Sequence, residues 1–385
     1  MFSSRFRWDF QQNRLTQLLA EKRRAGAPIL DLTESNPTRA GLAYPPETMR
    51  AFDNPRALDY QPAPAGSLEA REAVAAYYRH EVDAARILLT ASTSEGYAYL
   101  FKLLANPGDN VLVPRPSYPL FDYLAAMESV EVRQYPLVYH GAWTIDLDGL
   151  AAAITDRTRA MVAVHPNNPT GSYVKRAELD ALVRLCAERE LALISDEVFF
   201  DYHFAPDPHR AGTLANVTGC LAFAMSGLSK IAGLPQMKLG WIAVNGPEKL
   251  RAEAFEKLEW IADTYLSVST PVQCAAEALL RAGGQVRSEV RERCARHLAL
   301  AREALTGSSA NILAVEGGWY ITIQAPRVRS EEEWTLELLE RENVLVQPGF
   351  FYDFDSEAYL VVSLLTAPES FREGIARLRR QLDGA

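Results

Sequence analysis

Residues 159–230 contain three runs whose arrangement decides the fold: RAMVAVHPNNPTG (159–171), LALISDEVFFDY (191–202) and CLAFAMSGLSK (220–230). Each opens with a short, almost wholly apolar stretch and ends in polar residues. A strand that is apolar at every position lies in a sheet buried on both faces. The helical spacing over 176–189 separates the first two runs and predicts a crossover between parallel strands. ARILLTA, NVLVP, EVRQYPL and LGWIAV read as further extended segments. Helices are expected over SLEAREAVAAYYRH, after Ser94, after the PSYP turn and from Asp146. The result is a doubly wound, mostly parallel α/β domain over residues 45–270.

The flanks differ. Residues 8–25 have amphipathic helical spacing, and PILDLT reads as a short strand. A Pro-rich irregular stretch runs through SNPT (35–38) to YQPAPAG (60–66); long irregular connections tend to be functional. Residues 271–306 are strongly helical, and the tail then mixes strands (ILAVEGGWYITIQ, VLVQPG, YLVVSLLT) with helices at 330–342 and the C-terminus. Residues 1–44 and 271–385 are therefore expected to form a smaller α+β domain. A length of 385 residues suits two domains.

Composition narrows the function classes. Hydrophobic residues make up 48% and charged residues 23%, ample for a buried core and incompatible with a disordered or fibrous chain. The net charge is −9 with no long basic block, which argues against nucleic acid or an anionic membrane as a partner. No apolar stretch reaches 18 residues, and the N-terminus lacks the apolar core of a secretory signal. Cys186, Cys220, Cys274 and Cys294 are scattered, with no CxxC pair and no metal-ligand spacing among the six histidines. A cytoplasmic protein with free thiols is the expectation, and no metal site is expected.

In open α/β sheets ligands bind beyond the carboxyl ends of the strands. After ILLTA comes Ser92-Thr93-Ser94-Glu95-Gly96 at a helix start, a place for an anion. After NVLVP, Tyr118 sits between prolines and can stack on a planar ring. Asn168 follows MVAVH, Asp196 ends LALIS, and Lys230 follows LAFAM. A carboxylate or amine buried at a strand end is costly unless partnered, and a lysine placed there readily becomes a nucleophilic amine. The spacings are 28 residues from 168 to 196, 34 from 196 to 230, and 8 from 230 to Lys238.

Together, NPGDNVLVPRPSYP, HPNNPTG, ISDEVFFDY and SGLSKIAGLPQMKLGW, with GGWYITI and VLVQPG more loosely, resemble the class I/II aminotransferases. These are fold-type I enzymes dependent on pyridoxal 5′-phosphate (PLP). The resemblance implies that Lys230 forms the Schiff base with PLP and, once displaced by substrate, moves the proton between Cα and C4′. It implies that Asp196 pairs with the pyridine nitrogen, Asn168 bonds the ring hydroxyl and Tyr118 stacks on the ring. Thr93, Ser94, Ser229 and Lys238 match the phosphate site. Tyr60 matches a tyrosine that reaches the phosphate from a partner subunit, which implies a homodimer with shared active sites. Ser35 and Asn36 match the loop that closes over the substrate carboxylate. The implied reaction moves an amino group from an amino donor to a 2-oxo acid. The alternative on the same scaffold is a PLP-dependent lyase that cleaves C–S bonds by β-elimination.

Departures from the family pattern are informative. Phe199 stands where a tyrosine would bond the ring hydroxyl, and Lys238 replaces an arginine. Gly227 replaces a serine, so Ser226 or Ser229 is left to supply that hydroxyl. Val361 stands where the family arginine clamps the substrate carboxylate, and residues 342–371 contain no arginine. Three arrangements stay open: another cation such as Arg115 or a partner's arginine, neutral donors, or a substrate without the α-carboxylate. No second arginine for a dicarboxylate side chain is found near Thr264-Tyr265. Trp8, Phe199, Phe350 and Tyr352 are compatible with an apolar or aromatic substrate.

Overall fold

The structure is a computed structural model of the 385-residue chain, and it describes residues 2–5, 8, 11–266 and 268–384. Its centre is an eight-stranded sheet built from Ile87–Thr90, Asn110–Arg115, Glu131–Tyr139, Trp143–Ile145, Thr158–Val164, Ala192–Asp196, Ala222–Gly227 and Gly240–Asn245. In spatial order these strands begin at residues 87, 240, 222, 192, 158, 110, 131 and 143. The five central strands run parallel. Gly240–Asn245 is antiparallel to both of its neighbours, and Trp143–Ile145 is an antiparallel edge strand. That edge strand is too short and too polar at Thr144 to stand out in the sequence.

The period-two rule divides these strands between two cores. Val111, Val113, Val162, Ile194, Phe223 and Met225 face one layer of helices. Leu112, Met161, Ala163, Leu193 and Ala222 face the other. The expectation of a sheet buried on both faces is met, and it explains why alternation was absent from the sequence.

Helix starts follow local chemistry. Ser67 accepts from Ala70 N–H (3.3 Å) before Leu68–Tyr77, and Asp146 accepts from Gly149 N–H (3.0 Å) before Leu147–Ala153. Ser330 and Glu333 form a reciprocal capping box before Glu331–Glu342. The N-terminal helix is shorter than its spacing suggested. It spans Arg14–Arg24, with Asn13 capping through Thr16 N–H, because Asn13 draws the first-turn donors at that point. Positions 9 and 10 of the expected helix lie outside the described residues.

A smaller antiparallel sheet orders Asn311–Ile312, Tyr320–Gln324, Tyr359–Ser363 and Gln347–Pro348. Leu30–Asp31 pairs in parallel with Val344–Leu345, which ties the N-terminal segment to this part. The 35-residue helix Thr270–Ala304, about 52 Å long at 1.5 Å per residue, links the two parts. Its Val272, Ala275, Ala276 and Leu279 join a core beneath the large sheet. Its Val286, Val290, Cys294 and Leu298 join the core of the small sheet.

Candidate active site

A cavity of about 180 Å³ opens where the carboxyl ends of the central strands meet the small sheet. Lys230, Asp196, Asn168, Tyr118, Thr93, Ser94, Ser229 and Ser35 all line it. Strand-end geometry gathers these residues from separate loops at one rim, as the doubly wound topology requires.

Lys230 follows the strand Ala222–Gly227 by one short turn. Its Nζ lies 5.0 Å from the Trp319 ring centroid and 5.5 Å from that of Phe199. Burial brings the ammonium down to about 8, opposed by the charge of Asp196. A far larger fraction of this amine is therefore neutral, and nucleophilic, near physiological pH than for an exposed lysine.

Asp196 ends its strand and accepts from Tyr97 Oη (3.1 Å) and Val198 N–H (3.2 Å). Burial pushes its carboxyl up, while these two donors and Lys230 hold it down. Asn168 is buried, and its Oδ1 has no hydrogen-bond partner. A buried amide group left unmatched beside a cavity marks a place for a polar ligand atom. Thr93 and Ser94 begin the helix Thr93–Leu104, which Ser92 caps by accepting from Glu95 N–H (3.2 Å). Backbone N–H groups of a first helical turn have no intrahelical acceptor and favour an anion.

The aromatic side of the site is continuous. Phe199 packs edge-on against Trp319 at 5.2 Å, and Tyr320 lies 6.3 Å from Phe199. Tyr118 is 46% exposed and lines the cavity mouth. Tyr97, Leu120, Phe121, Leu124, Val198 and Tyr320 also line the cavity and were not singled out from sequence. Tyr97 was legible in principle, since it lies one helical turn beyond Thr93–Ser94 and shares their face.

Several expected residues lie elsewhere in this chain. Lys238 is exposed at a left-handed turn (φ 53°) and does not line the cavity. Tyr60 is 65% exposed and also lies away from the cavity of its own chain. Asn36 does not line it either; its Oδ1 accepts from the Thr38 N–H (3.0 Å) and hydroxyl (2.7 Å). Ser226 is buried against the Glu197 carbonyl, so of the two candidate serines Ser229 is the one at the cavity. Gly227 has a steric reason: a Cβ there would come within 2.9 Å of Gly240 Cα and of the Leu239 carbonyl oxygen.

His165, in the bend that follows the strand Thr158–Val164, is fully buried. Its Nδ1 accepts from Val174 N–H (3.0 Å), and burial lowers its pKa to about 3. Arg115, considered as a substitute cation, is engaged with Asp355 (2.8 Å) and the Asp353 carbonyl (2.8 Å). Val361 is completely buried, in register with Thr322 and Gln347. Of the four aromatics considered for substrate contact, only Phe199 lines the cavity; Trp8 packs on Tyr123 at 4.9 Å, Phe350 is 48% exposed and Tyr352 is buried.

The chain matches the family model for aminotransferase class I and II over residues 27–378, and it belongs to that family. Among curated relatives it is 34% identical over 223 residues to the S-alkyl-thiohydroximate lyase SUR1 of Arabidopsis thaliana. That match covers 56% of this chain and 48% of SUR1, so the chain spans about half the length of that enzyme. It is 27% identical over 373 residues to the glutamate-pyruvate aminotransferase AlaA of Haemophilus influenzae, covering 93% of this chain and 91% of AlaA. The solved alanine aminotransferase of Pyrococcus furiosus superposes with a TM-score of 0.90 at 23% identity, with both chains fully covered, a likeness of fold.

Proposed function

We propose that this chain is a PLP-dependent aminotransferase that moves an amino group between an amino acid and a 2-oxo acid. The observation that carries this is the convergence of Lys230, Asp196 and Asn168 on one cavity, with the Asn168 amide oxygen unpaired. The donor set suits pyridoxal phosphate: a nucleophilic amine, a carboxylate for a ring nitrogen, an amide for a ring oxygen and a helix start for a phosphate. When bound, the cofactor supplies an electron sink for the electron pair left at the substrate α-carbon.

The protein groups do the rest. Lys230, partly neutral because it is buried, removes and returns a proton at the substrate carbon. Asp196 holds positive charge at the ring nitrogen, oriented by Tyr97 and Val198 N–H. Thr93, Ser94 and Ser229 meet the phosphate, and Tyr118 covers the ring. Phe199 supplies an apolar wall but no hydroxyl, so Asn168 serves the ring oxygen without a tyrosine partner. Tyr60 and Lys238 complete the phosphate site in a homodimer, Tyr60 from the opposite subunit. The exposed Leu58 beside Tyr60 supports a protein partner there. Ser35 and Asn36 belong to the loop over the substrate. Four free cysteines fit a reducing, cytoplasmic compartment, and no helix among the described residues is long and apolar enough to cross a membrane.

The test supplies the PLP-loaded protein with panels of amino acids and 2-oxo acids and follows formation of the exchanged pair. Exchange that disappears in Lys230→Ala supports the assignment. A second reading, C–S cleavage by β-elimination, is favoured by the likeness to a lyase. It requires pyruvate and ammonia to appear from cysteine-like substrates with no oxo acid acceptor present.

A further inference from the structure

An amino acid and a 2-oxo acid share one group besides the reacting carbon: a carboxylate. A carboxylate drawn into a half-dry cavity needs donors or a counter-ion. Among the described residues that line the cavity, Lys230 is the only basic side chain, and its amine is needed at the reacting carbon. Arg115 is tied to Asp355 and the Asp353 carbonyl. Val361 is completely buried in the small-sheet core and does not line the cavity. Within this chain's described lining, the groups left to meet the carboxylate are neutral donors.

The candidates separate by wall. Tyr97 is engaged with Asp196. Thr93, Ser94 and Ser229 sit at helix starts on the sheet side, where the phosphate belongs. Asn168 faces the ring, and Tyr118 is half exposed at the mouth. Ser35 and Tyr320 remain, both on the side of the small sheet.

Their anchoring is shared. Tyr320 opens the strand Tyr320–Gln324 and is in register with Ser363. Ser363 in turn donates through its hydroxyl to the Glu34 carbonyl (2.6 Å) and through its N–H to the Leu32 carbonyl (2.7 Å). One residue thus fixes both the strand that carries Tyr320 and the loop that carries Ser35. The Tyr320 hydroxyl also interacts with that of Ser35, and burial keeps it protonated up to about 12. It remains a donor throughout the working pH range.

We infer that Tyr320, supported by Ser35, is the principal carboxylate-binding residue of this enzyme, replacing a guanidinium clamp with neutral hydroxyl donors. This rests on the aminotransferase assignment above. The substrate class that follows is monocarboxylic amino acids and their oxo acids, bound through one weakly held carboxylate, with an apolar side chain against Leu120, Phe121 and Leu124.

The experiment compares the PLP-loaded parent with Tyr320→Phe. It uses an amino acid the parent accepts and the corresponding amine lacking the carboxylate. A hydrogen bond to a charged group is worth about 1.5–3 kcal/mol, so KM for the amino acid is expected to rise about tenfold to a hundredfold. The kcat is expected to stay within about threefold, the visible spectrum to be unaltered and the amine to react as before. Ser35→Ala gives the same pattern at smaller size. An unchanged KM, or equal losses with amino acid and amine, overturns the role of Tyr320 while leaving the aminotransferase assignment intact. A parent that exchanges no amino acid at all overturns both.

Discussion

The sheet-end wall of the cavity carries Lys230, Asp196 and Asn168, each at the end of a different strand or in the turn beyond it. The opposite wall carries Tyr320 and Ser35, while Val361 is buried in the small-sheet core. The first wall holds a full set of charged and amide groups, cross-braced by Tyr97 and Val198 N–H. The second holds hydroxyls only. Bond-making chemistry needs a definite amine and a definite carboxylate, so under the proposed assignment substitution on the first wall costs rate. Recognition of a substrate carboxylate can be met by any adequate donor, so under the proposed assignment the second wall exchanges a cation for hydroxyls at the cost of affinity.

The largest expected effect breaks the first wall. Lys230→Ala should lower amino-group exchange by at least about a hundredfold, since general acid–base transfer alone contributes about 10²–10⁴-fold. Single-turnover absorbance with an amino acid measures it. Asp196→Asn should cost about 2–5 kcal/mol of coupling to the ring nitrogen, about thirtyfold to several thousandfold in rate. Rapid-quench rates check this, with cofactor retention followed in parallel.

On the second wall, Val361→Arg should destabilise the chain by several kcal/mol, because it buries an unpaired charge in the small-sheet core. Adding a 2-oxo acid should restore part of the lost melting temperature if the new cation reaches the carboxylate. A variant as stable as the parent would contradict the burial of an unpaired charge at this position, and the absence of a ligand effect would show that a cation at position 361 does not meet the carboxylate.

A pH experiment sharpens the contrast further. Burial lowers Lys230 from the ordinary lysine value of 10.5 to about 8. The amine reacts only when deprotonated, so loading of the cofactor-free chain should accelerate as pH rises through about 8 and level off above it. A midpoint near 10.5 would contradict the buried position of Lys230. The smallest effect is expected from Phe199→Tyr. A restored hydroxyl adds one neutral hydrogen bond, about 0.5–1.5 kcal/mol and at most about tenfold in cofactor affinity, read by equilibrium dialysis.

The residues on the two walls were not equally legible in the sequence. Strand carboxyl ends mark ligand positions, so Thr93, Ser94, Tyr118, Asn168, Asp196 and Lys230 could be listed before any coordinates, and all line one cavity. Asn36 and Lys238, expected from sequence interval, do not line the cavity of their own chain. Asn36 turns its amide oxygen onto Thr38, and Lys238 sits in a left-handed turn that leaves its side chain exposed. Trp319 and Tyr320 were visible in GGWYITI, yet only tertiary packing puts Trp319 beside the Lys230 amine and Tyr320 beside Ser35. The buried acceptor role of His165 depends on Val174, nine residues on, and local sequence does not show it. The edge strand Trp143–Ile145 was missed because three residues carry too little periodicity.

The most direct measurement loads the purified protein with pyridoxal phosphate and adds one amino acid without an acceptor, recording the visible spectrum and the products together. Conversion of the cofactor to its amine form, with one oxo acid released per site and no free ammonia, is the expected outcome. Continued release of oxo acid and ammonia with the cofactor unchanged would contradict an aminotransferase and identify an eliminating lyase.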